Sequence, residues 1–257
     1  MNFKDKITII NQGTSDIGVA IADQIIEKNG KIVLVGNSAL KLEAIKKQLN
    51  KKPINLDSND KILTIKVKIY QESECQRVKN LTIEKFGKVD ILINNFYFDI
   101  NKNILQLNQR DWTCLFFENV ISNLNMIKTV QNDFEAKADG KIIIIHESNT
   151  VLANKKSYHW FVIENSIIGI IKGLALELAK YNIKINCIIS SFIETEKYLE
   201  VGNKLGIYFQ EFRELSSALV ALRRLGKPIE IANLVLFLAS EDSDFLNGQV
   251  LYVKGGP

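Results

Sequence analysis

The sequence predicts a three-layer α/β sandwich in which a parallel, seven-stranded sheet lies between two layers of helices. Two observations predict this fold class. Apolar runs alternate with helical patterns along the chain, and the runs are continuous in Ile, Val and Leu. Continuous apolar strands are typical of a sheet that helices cover on both faces. The predicted strands are residues 6–11, 31–36, 61–67, 89–93, 141–146, 183–189 and 249–253.

Composition predicts one domain that spans residues 1–257. Apolar residues make up 46% of the chain and charged residues 24%, which indicates a globular protein with a large buried core and excludes a disordered chain. The sequence has no internal repeat, no low-complexity segment and no Pro- or Gly-rich linker. A doubly wound α/β fold commonly reaches this length with a single core.

Charge and cysteine usage exclude several classes of function. The densest basic run, residues 46–52, has no interleaved aromatic residues, so we expect no nucleic-acid partner. The chain shows no export signal and no apolar stretch long enough for a membrane span. Cys75, Cys114 and Cys187 have no metal-ligand spacing and indicate a reducing compartment. We therefore expect a cytoplasmic protein.

Several segments carry the resemblance to a known family. Residues 173–179 read Gly-Leu-Ala-Leu-Glu-Leu-Ala, residues 185–188 read Ile-Asn-Cys-Ile, and residues 247–256 close the chain with a strand and two glycines. Together with the order of elements, they resemble the short-chain dehydrogenase/reductase family over essentially the whole chain. This resemblance implies a doubly wound Rossmann-like fold, an NAD(P) cofactor and a ligand cleft beyond the carboxyl ends of the strands.

The loop after the first strand departs from the family's Thr-Gly-x-x-x-Gly-x-Gly. Residues 11–18 read Asn-Gln-Gly-Thr-Ser-Asp-Ile-Gly, so only Gly18 is in register. Gln12 and Asp16 bring side chains to places where glycines let the backbone approach a pyrophosphate. We expect Asp16 to cap the free N–H groups of its own helix. A carboxylate about 4 Å from a phosphate costs on the order of 4 kcal/mol at an effective dielectric near 20.

Other cofactor positions are altered too. Residues 94–97 read Asn-Asn-Phe-Tyr where the family has Asn-Asn-Ala-Gly, so Asn94 is retained while Phe96 and Tyr97 replace small residues. The two aromatic residues either fill the cleft or pack under the adjoining helix. Thr195 matches the family's threonine near the nicotinamide. We therefore expect no bound cofactor; if one is bound, the resemblance implies NAD(P), with weak contacts from Gly18, Asn94 and Thr195.

The catalytic positions are altered more strongly. The family uses an Asn, a Ser and a Tyr-x-x-x-Lys pair, and the only retained member is Asn119. Glu147, Trp160 and Glu164 stand at the serine, tyrosine and lysine positions. An indole has no accessible ionisation, a glutamate reverses the charge of the lysine, and an ionised carboxylate accepts hydrogen bonds where an oxyanion needs a donor. These changes predict the loss of standard hydride transfer.

Alternatives at these positions are less favoured. Tyr158 lies two residues before Trp160, a rotation of about 200° around the helix, so it is expected to face elsewhere. Glu147 and Glu164, with His146 and His159 nearby in the sequence, suggest a cation site or an acid/base pair, but no ligand spacing is recognisable and we expect no metal. The ordinary interpretation is two water-exposed acids at the mouth of an unused cleft. Aromatic residues after position 197 either line an apolar pocket or, more often, pack onto the core: Tyr198, Tyr208, Phe209 and Phe212.

The sequence also predicts an oligomer. The predicted helices 111–134 and 157–180 have apolar residues on more than one face, and the corresponding helices form a dimer interface within the family's tetramers. We expect a homodimer or homotetramer.

The first functional hypothesis is a degenerate member that serves as a binding, regulatory or partner subunit, including a heteromer with an active relative. The second is an NAD(P)-dependent oxidoreductase that uses Asn119, a rearranged Tyr158 or water for proton transfer.

Overall fold

The fold is taken from a computed structural model that describes residues 2–51, 61–68, 70–148, 158–204 and 206–256. Its seven strands form one sheet in the order β3-β2-β1-β4-β5-β6-β7, and every neighbouring pair is parallel. This confirms the predicted fold class. The strands are β1 Ile7–Asn11, β2 Lys31–Gly36, β3 Ile62–Lys66, β4 Ile91–Asn94, β5 Gly140–Glu147, β6 Ile183–Ser190 and β7 Val250–Val253.

Helices cover both faces of the sheet, because successive strand residues point to opposite faces and both sets are apolar. In β1, for example, Ile7 and Ile9 belong to one core cluster and Ile10 belongs to the other. The helices are α1 Asp16–Glu27, α2 Ala39–Asn50, α3 Glu72–Phe86, α4 Gln109–Phe116, α5 Ser122–Lys137, α6 His159–Leu178, α7 Glu196–Lys204, α8 Phe209–Leu219 and α9 Pro228–Ala239. Helices α3, α5 and α6 pack on the first face, and α1, α2 and α9 pack on the second.

Both long predicted helices are present, with differences. The first is divided into α4 and α5 by a π-helical turn, Phe117–Ile121, in which the amide of Ser122 donates to the carbonyl of Phe117. The second begins at His159, and the predicted start at residue 157 lies outside the described residues. Of the helices that the structure describes, none has the length and apolarity to cross a bilayer.

The strand order reverses direction at β1, which has β2 on one side and β4 on the other. At this point Asn11, the last residue of β1, donates from its side-chain amide to the Asn94 side chain at 2.7 Å. In open α/β sheets the ligand cleft lies beyond the carboxyl ends of the strands at such a reversal. The cleft is therefore formed by the residues that follow β1, β2, β4, β5 and β6.

Candidate functional site

The turn between β1 and α1 keeps the backbone of a glycine-rich turn without its first glycine. Gln12 adopts φ +49°, in the left-handed region that favours glycine. Gly18 packs tightly under the turn, because a Cβ there would lie 2.8 Å from the carbonyl oxygen of Gln12. Ser15 caps α1 by accepting a hydrogen bond from the Gly18 amide at 3.1 Å. Gln12 thus carries a side chain in a backbone conformation that favours glycine.

The expected role of Asp16 is wrong. Ser15 is the residue that caps α1, and Asp16 is already the first helical residue. The Oδ2 atom of Asp16 instead accepts a hydrogen bond from the backbone amide of Glu196 at 2.7 Å. Glu196 is the first residue of α7, so Asp16 joins the N-terminal ends of two helices.

Thr195 completes the start of α7. Its Oγ1 atom accepts from the Tyr198 amide at 3.1 Å, so it caps α7 from within the chain. The Thr195 side chain is buried and lines the cleft. The threonine that the resemblance assigns to cofactor contact is thus close to the cleft and also holds the covering helix.

The cleft contains two adjoining cavities. A cavity of about 300 Å³ lies between the ends of α1 and α7, and another of about 250 Å³ lies beyond β2 and β3. Gln12, Thr14, Asn37 and Tyr97 line both cavities and form their common wall. The larger cavity is lined by four carboxylates and two ammonium groups: Asp16, Glu147, Glu196, Glu200, Lys41 and Lys197.

The two aromatic residues after β4 have different surroundings, so each of the two open interpretations applies to one of them. Phe96 is buried and packs edge-on against Tyr70, with ring centroids 4.3 Å apart. Tyr97 stacks on Trp160, with centroids 5.1 Å apart and an angle of 21° between the rings. Phe96 therefore belongs to the core beneath the helices, and Tyr97 occupies the cleft.

Trp160 is completely buried. Its indole N–H donates to the Oδ1 atom of Asp99 at 3.0 Å, and Nε2 of His159 lies 3.0 Å from the same oxygen. The single polar group of Trp160 is thus already bonded to a carboxylate of the chain. Asp99 was not among the residues predicted from the sequence; its place directly after the aromatic run 96–98 was a signal for it.

Glu147 lies at the end of β5 and lines the larger cavity. Burial raises the pKa of its carboxyl, and the neighbouring Lys197 acts in the opposite direction. The Nζ atom of Lys197 lies 3.7 Å from Oε2 of Glu147 and also over the ring of Tyr97. Lys197 was missed by the sequence analysis, although it is a cation two residues after Thr195.

Glu164 is not a water-exposed acid, and that expectation is wrong. Only 7% of the residue is exposed, because α6 packs this face onto the sheet. Burial and then the charge of Glu164 raise the pKa of the Cys187 thiol to about 12, so Glu164 faces β6. Its Oε2 atom has no hydrogen-bond partner in the described part of the chain. Glu164 lines neither cavity of the cleft.

The acidic and histidine residues considered for a metal site do not form one cluster in the described part of the chain. Both ring nitrogens of the buried His146 lack a hydrogen-bond partner, and burial lowers its pKa to about 3. Its ring lies against Trp160, with centroids 5.2 Å apart. Within the described ranges, no group of three or more His, Cys, Asp or Glu side chains could hold a metal ion.

Asn119 lies in the π-helical turn and binds the backbone after β4. Its side chain accepts from the Phe98 amide at 2.9 Å and donates to the Phe98 carbonyl at 2.8 Å. Asn94 is buried, is bonded to Asn11 and lines neither cavity. Its neighbour Asn95 lines the larger cavity and donates to the Ser15 hydroxyl at 2.8 Å.

Of the remaining aromatic residues, some are buried and others are exposed. Tyr158 is 45% exposed and stacks on Phe161, which faces the outside of α6. Tyr198 and Phe212 pack in a small separate core with Phe192. Other aromatic side chains of the segment after α7 are exposed: Tyr208 and Phe209. Packing therefore explains only part of this segment.

Comparison with known proteins defines the class. Residues 13–257 match the family described as Enoyl-(Acyl carrier protein) reductase. The chain is 28% identical over 258 residues to "Dehydrogenase/reductase SDR family member 4" of Caenorhabditis elegans, covering 99% of this chain and 95% of the relative. It is 29% identical over 260 residues to the 3-oxoacyl-[acyl-carrier-protein] reductase FabG of Escherichia coli, covering 100% and 98%.

The solved structures agree on the fold. L-Sorbose reductase from Gluconobacter frateurii, crystallised with NADPH and L-sorbose, superposes with a TM-score of 0.91 at 24% identity. The alignment covers 100% of this chain and 97% of the reductase. The chain belongs to the short-chain dehydrogenase/reductase family, as its motifs predict.

Proposed function

We propose that this protein has the short-chain dehydrogenase/reductase fold without the usual hydride transfer of the family. The observation that carries the proposal is Trp160. It stands at the position of the proton-donating tyrosine, it is fully buried, and its N–H is bonded to Asp99. An indole cannot exchange a proton with a substrate at neutral pH, and this one has no free donor either.

The cofactor cleft supports the same proposal. Tyr97 lies on Trp160 and lines both spaces of the cleft, which measure about 300 and 250 Å³. Sites for drug-sized ligands usually measure about 300–1,000 Å³, so each space is at or below the lower end of this range and would not hold a whole dinucleotide alone. Asp16 adds a carboxylate at the N-terminus of α1, where a pyrophosphate would need a positive environment. NAD(P) is the cofactor that the relatives suggest, and we expect it to bind weakly or not at all.

The corresponding biological role is that of a cytoplasmic binding, regulatory or partner subunit. Exposed apolar side chains on α6, such as Phe161 at 50% and Val162 at 37%, suit a homodimer or homotetramer. Ile121, at the end of the π-helical turn, is 38% exposed. The same surface suits a heteromer with an active relative, because members of one family share this helix pair.

Calorimetry with NADPH and NADH tests the proposal. The purified protein should give no binding heat up to millimolar cofactor, whereas the L-sorbose reductase of Gluconobacter frateurii serves as the positive control for NADPH. A dissociation constant in the micromolar range, about 8 kcal/mol of binding free energy, would contradict the proposal. Size-exclusion chromatography with light scattering tests the assembly, and a single-protomer mass would exclude the oligomer.

A second candidate is an NAD(P)-dependent oxidoreductase that acts on a carbonyl or alcohol by another proton relay. The cleft lined by Thr195, the presence of Asn119 and the relatives named as reductases favour it. Water, Asn119 or the half-exposed Tyr158 would then supply the proton. Spectroscopic assays of NADPH oxidation with a 3-oxoacyl thioester and with L-sorbose test this candidate. Turnover that the Asn119→Ala variant abolishes would establish it.

A further inference from the structure

Residues of α7 form part of the wall of the larger cavity. We propose that the cleft has become a binding surface for α7 of the same chain, with Asp16 holding a backbone amide and the Glu147–Tyr97 pair holding the Lys197 ammonium. This inference rests on the proposed loss of cofactor binding, because a dinucleotide would need the same space. In this inference, the binding partner of the altered residues is a segment of the same chain, and these residues no longer bind phosphate or transfer protons.

The first contact replaces a bound anion. A helix N-terminus attracts negative charge, and in α1 the chain supplies that charge from its own first turn through Asp16. The same carboxylate accepts the Glu196 amide at 2.7 Å, at the N-terminus of α7. One carboxylate thus lies between the N-terminal ends of two helices. In this arrangement it stabilises both helix ends and needs no external phosphate.

The second contact is an ammonium site. Lys197 lies over the face of Tyr97, and its Nζ atom is 3.7 Å from Glu147. A ring face and a carboxylate together bind an ammonium group by cation–π attraction and charge. Tyr97 is held for this contact by its stacking on the buried Trp160. The unusual residues at the altered positions therefore act together.

Together, these contacts attach the start of α7 to the cleft. Asp16 at the start of α1, Tyr97 after β4 and Glu147 at the end of β5 all contact the first two residues of α7. Thr195 caps the same turn from the other side. The helix is therefore bound over the cavity by its N-terminal turn. Farther along α7, Tyr198 packs in the small core with Phe212, and Glu200 lines the cavity without a hydrogen bond or ion pair in the described part of the chain.

Hydrogen–deuterium exchange followed by mass spectrometry tests the inference on the full chain. Asp16→Ala and Glu147→Gln should each increase the exchange of peptides that cover 194–204 by about tenfold, while strand peptides stay unchanged. Glu200→Gln is the matched control, because it removes a carboxylate from the same cavity without removing a contact to Lys197. Lys197→Met is a second route to the same increase, since it keeps an unbranched side chain one atom shorter and removes the charge.

The outcomes separate this inference from the proposed function. Unchanged exchange of 194–204 in Asp16→Ala, Glu147→Gln and Lys197→Met would overturn the inference, even if wild-type protein binds no NADPH. An equal increase in Glu200→Gln would also overturn it, because the effect would then follow cavity charge and not the contacts. Micromolar NADPH binding by the wild type would overturn the proposed function, whatever the exchange data show. Thermal melts of each variant exclude global unfolding as the cause.

Discussion

The substitution Trp160→Phe tests whether the indole of Trp160 stabilises the folded protein. The substitution keeps an aromatic ring against Tyr97 but removes the N–H that donates to Asp99 at 3.0 Å. A hydrogen bond to a charged group contributes about 1.5–3 kcal/mol. The smaller ring also leaves a void at a site with no solvent exposure, which adds about 1 kcal/mol. We expect a loss of about 3 kcal/mol in the free energy of unfolding.

A thermal melt measures this loss. At about 2.1 cal/mol/K per residue, the entropy of unfolding of a chain this long is about 0.5 kcal/mol/K, so 3 kcal/mol lowers Tm by about 6 °C. Trp112→Phe is the matched control. Trp112 is half-buried, and its indole has no hydrogen bond in the described ranges. Its Tm should change by less than about 2 °C. Equal shifts in the two variants would refute the structural role of the Trp160 hydrogen bond.

Three further predictions concern stability and assembly. Burial would raise the pKa of Asp90, but hydrogen bonds from a backbone amide and from Lys137 outweigh it and hold the pKa below 3.8, so Asp90→Asn should cost about 2 kcal/mol at neutral pH. The folded pKa is the lower one, so this contribution is present above the unfolded pKa of about 4 and disappears as pH falls through the folded value. Gly18→Ala should cost about 1–3 kcal/mol, because the new methyl meets the Gln12 carbonyl at 2.8 Å. Phe161→Glu should shift the protein to protomers in light scattering, since it charges an exposed apolar surface of α6.

Each of these three substitutions has a matched control variant. Asp139→Asn removes a partly exposed partner of Lys6 and should change stability by less than about 1 kcal/mol at any pH. Gly173→Ala adds a methyl where no atom lies within 4 Å and should not destabilise. Leu105→Glu charges an exposed residue of the short 3₁₀ turn Ile104–Gln106, outside α6, and should leave the oligomer intact. A pH-independent Asp90 effect, a harmless Gly18 change or an unaltered mass for Phe161→Glu would each contradict its prediction.

Much of the fold is readable from local patterns. The seven strands fall within one or two residues of the predicted ranges, because continuous apolar runs and helical periodicity are local properties of the chain. The π-helical turn at Phe117–Ile121 was not predicted, since periodicity does not register one inserted residue within a long helix. The Asn119 side chain, bonded to the backbone of Phe98, lies within this turn.

The site was less predictable. The residue types at 16, 147, 160 and 164 were known from the sequence, but their partners come from distant segments. Asp16 contacts a residue 180 positions later. Trp160 bonds to Asp99, and Glu147 pairs with Lys197. No spacing rule predicts such contacts, because loops from different strands meet only after the sheet has formed.

The sequence by itself determined the fold class, the family and the identity of the altered residues, since these depend on residue type and order along the chain. The tertiary structure decided where their side chains point. It shows Asp16 bound to another helix instead of its own, Phe96 in the core and Tyr97 in the cleft, and Glu164 under α6 away from both cavities. Burial and partner choice depend on the packing of elements that are remote in sequence, and local patterns do not contain that information.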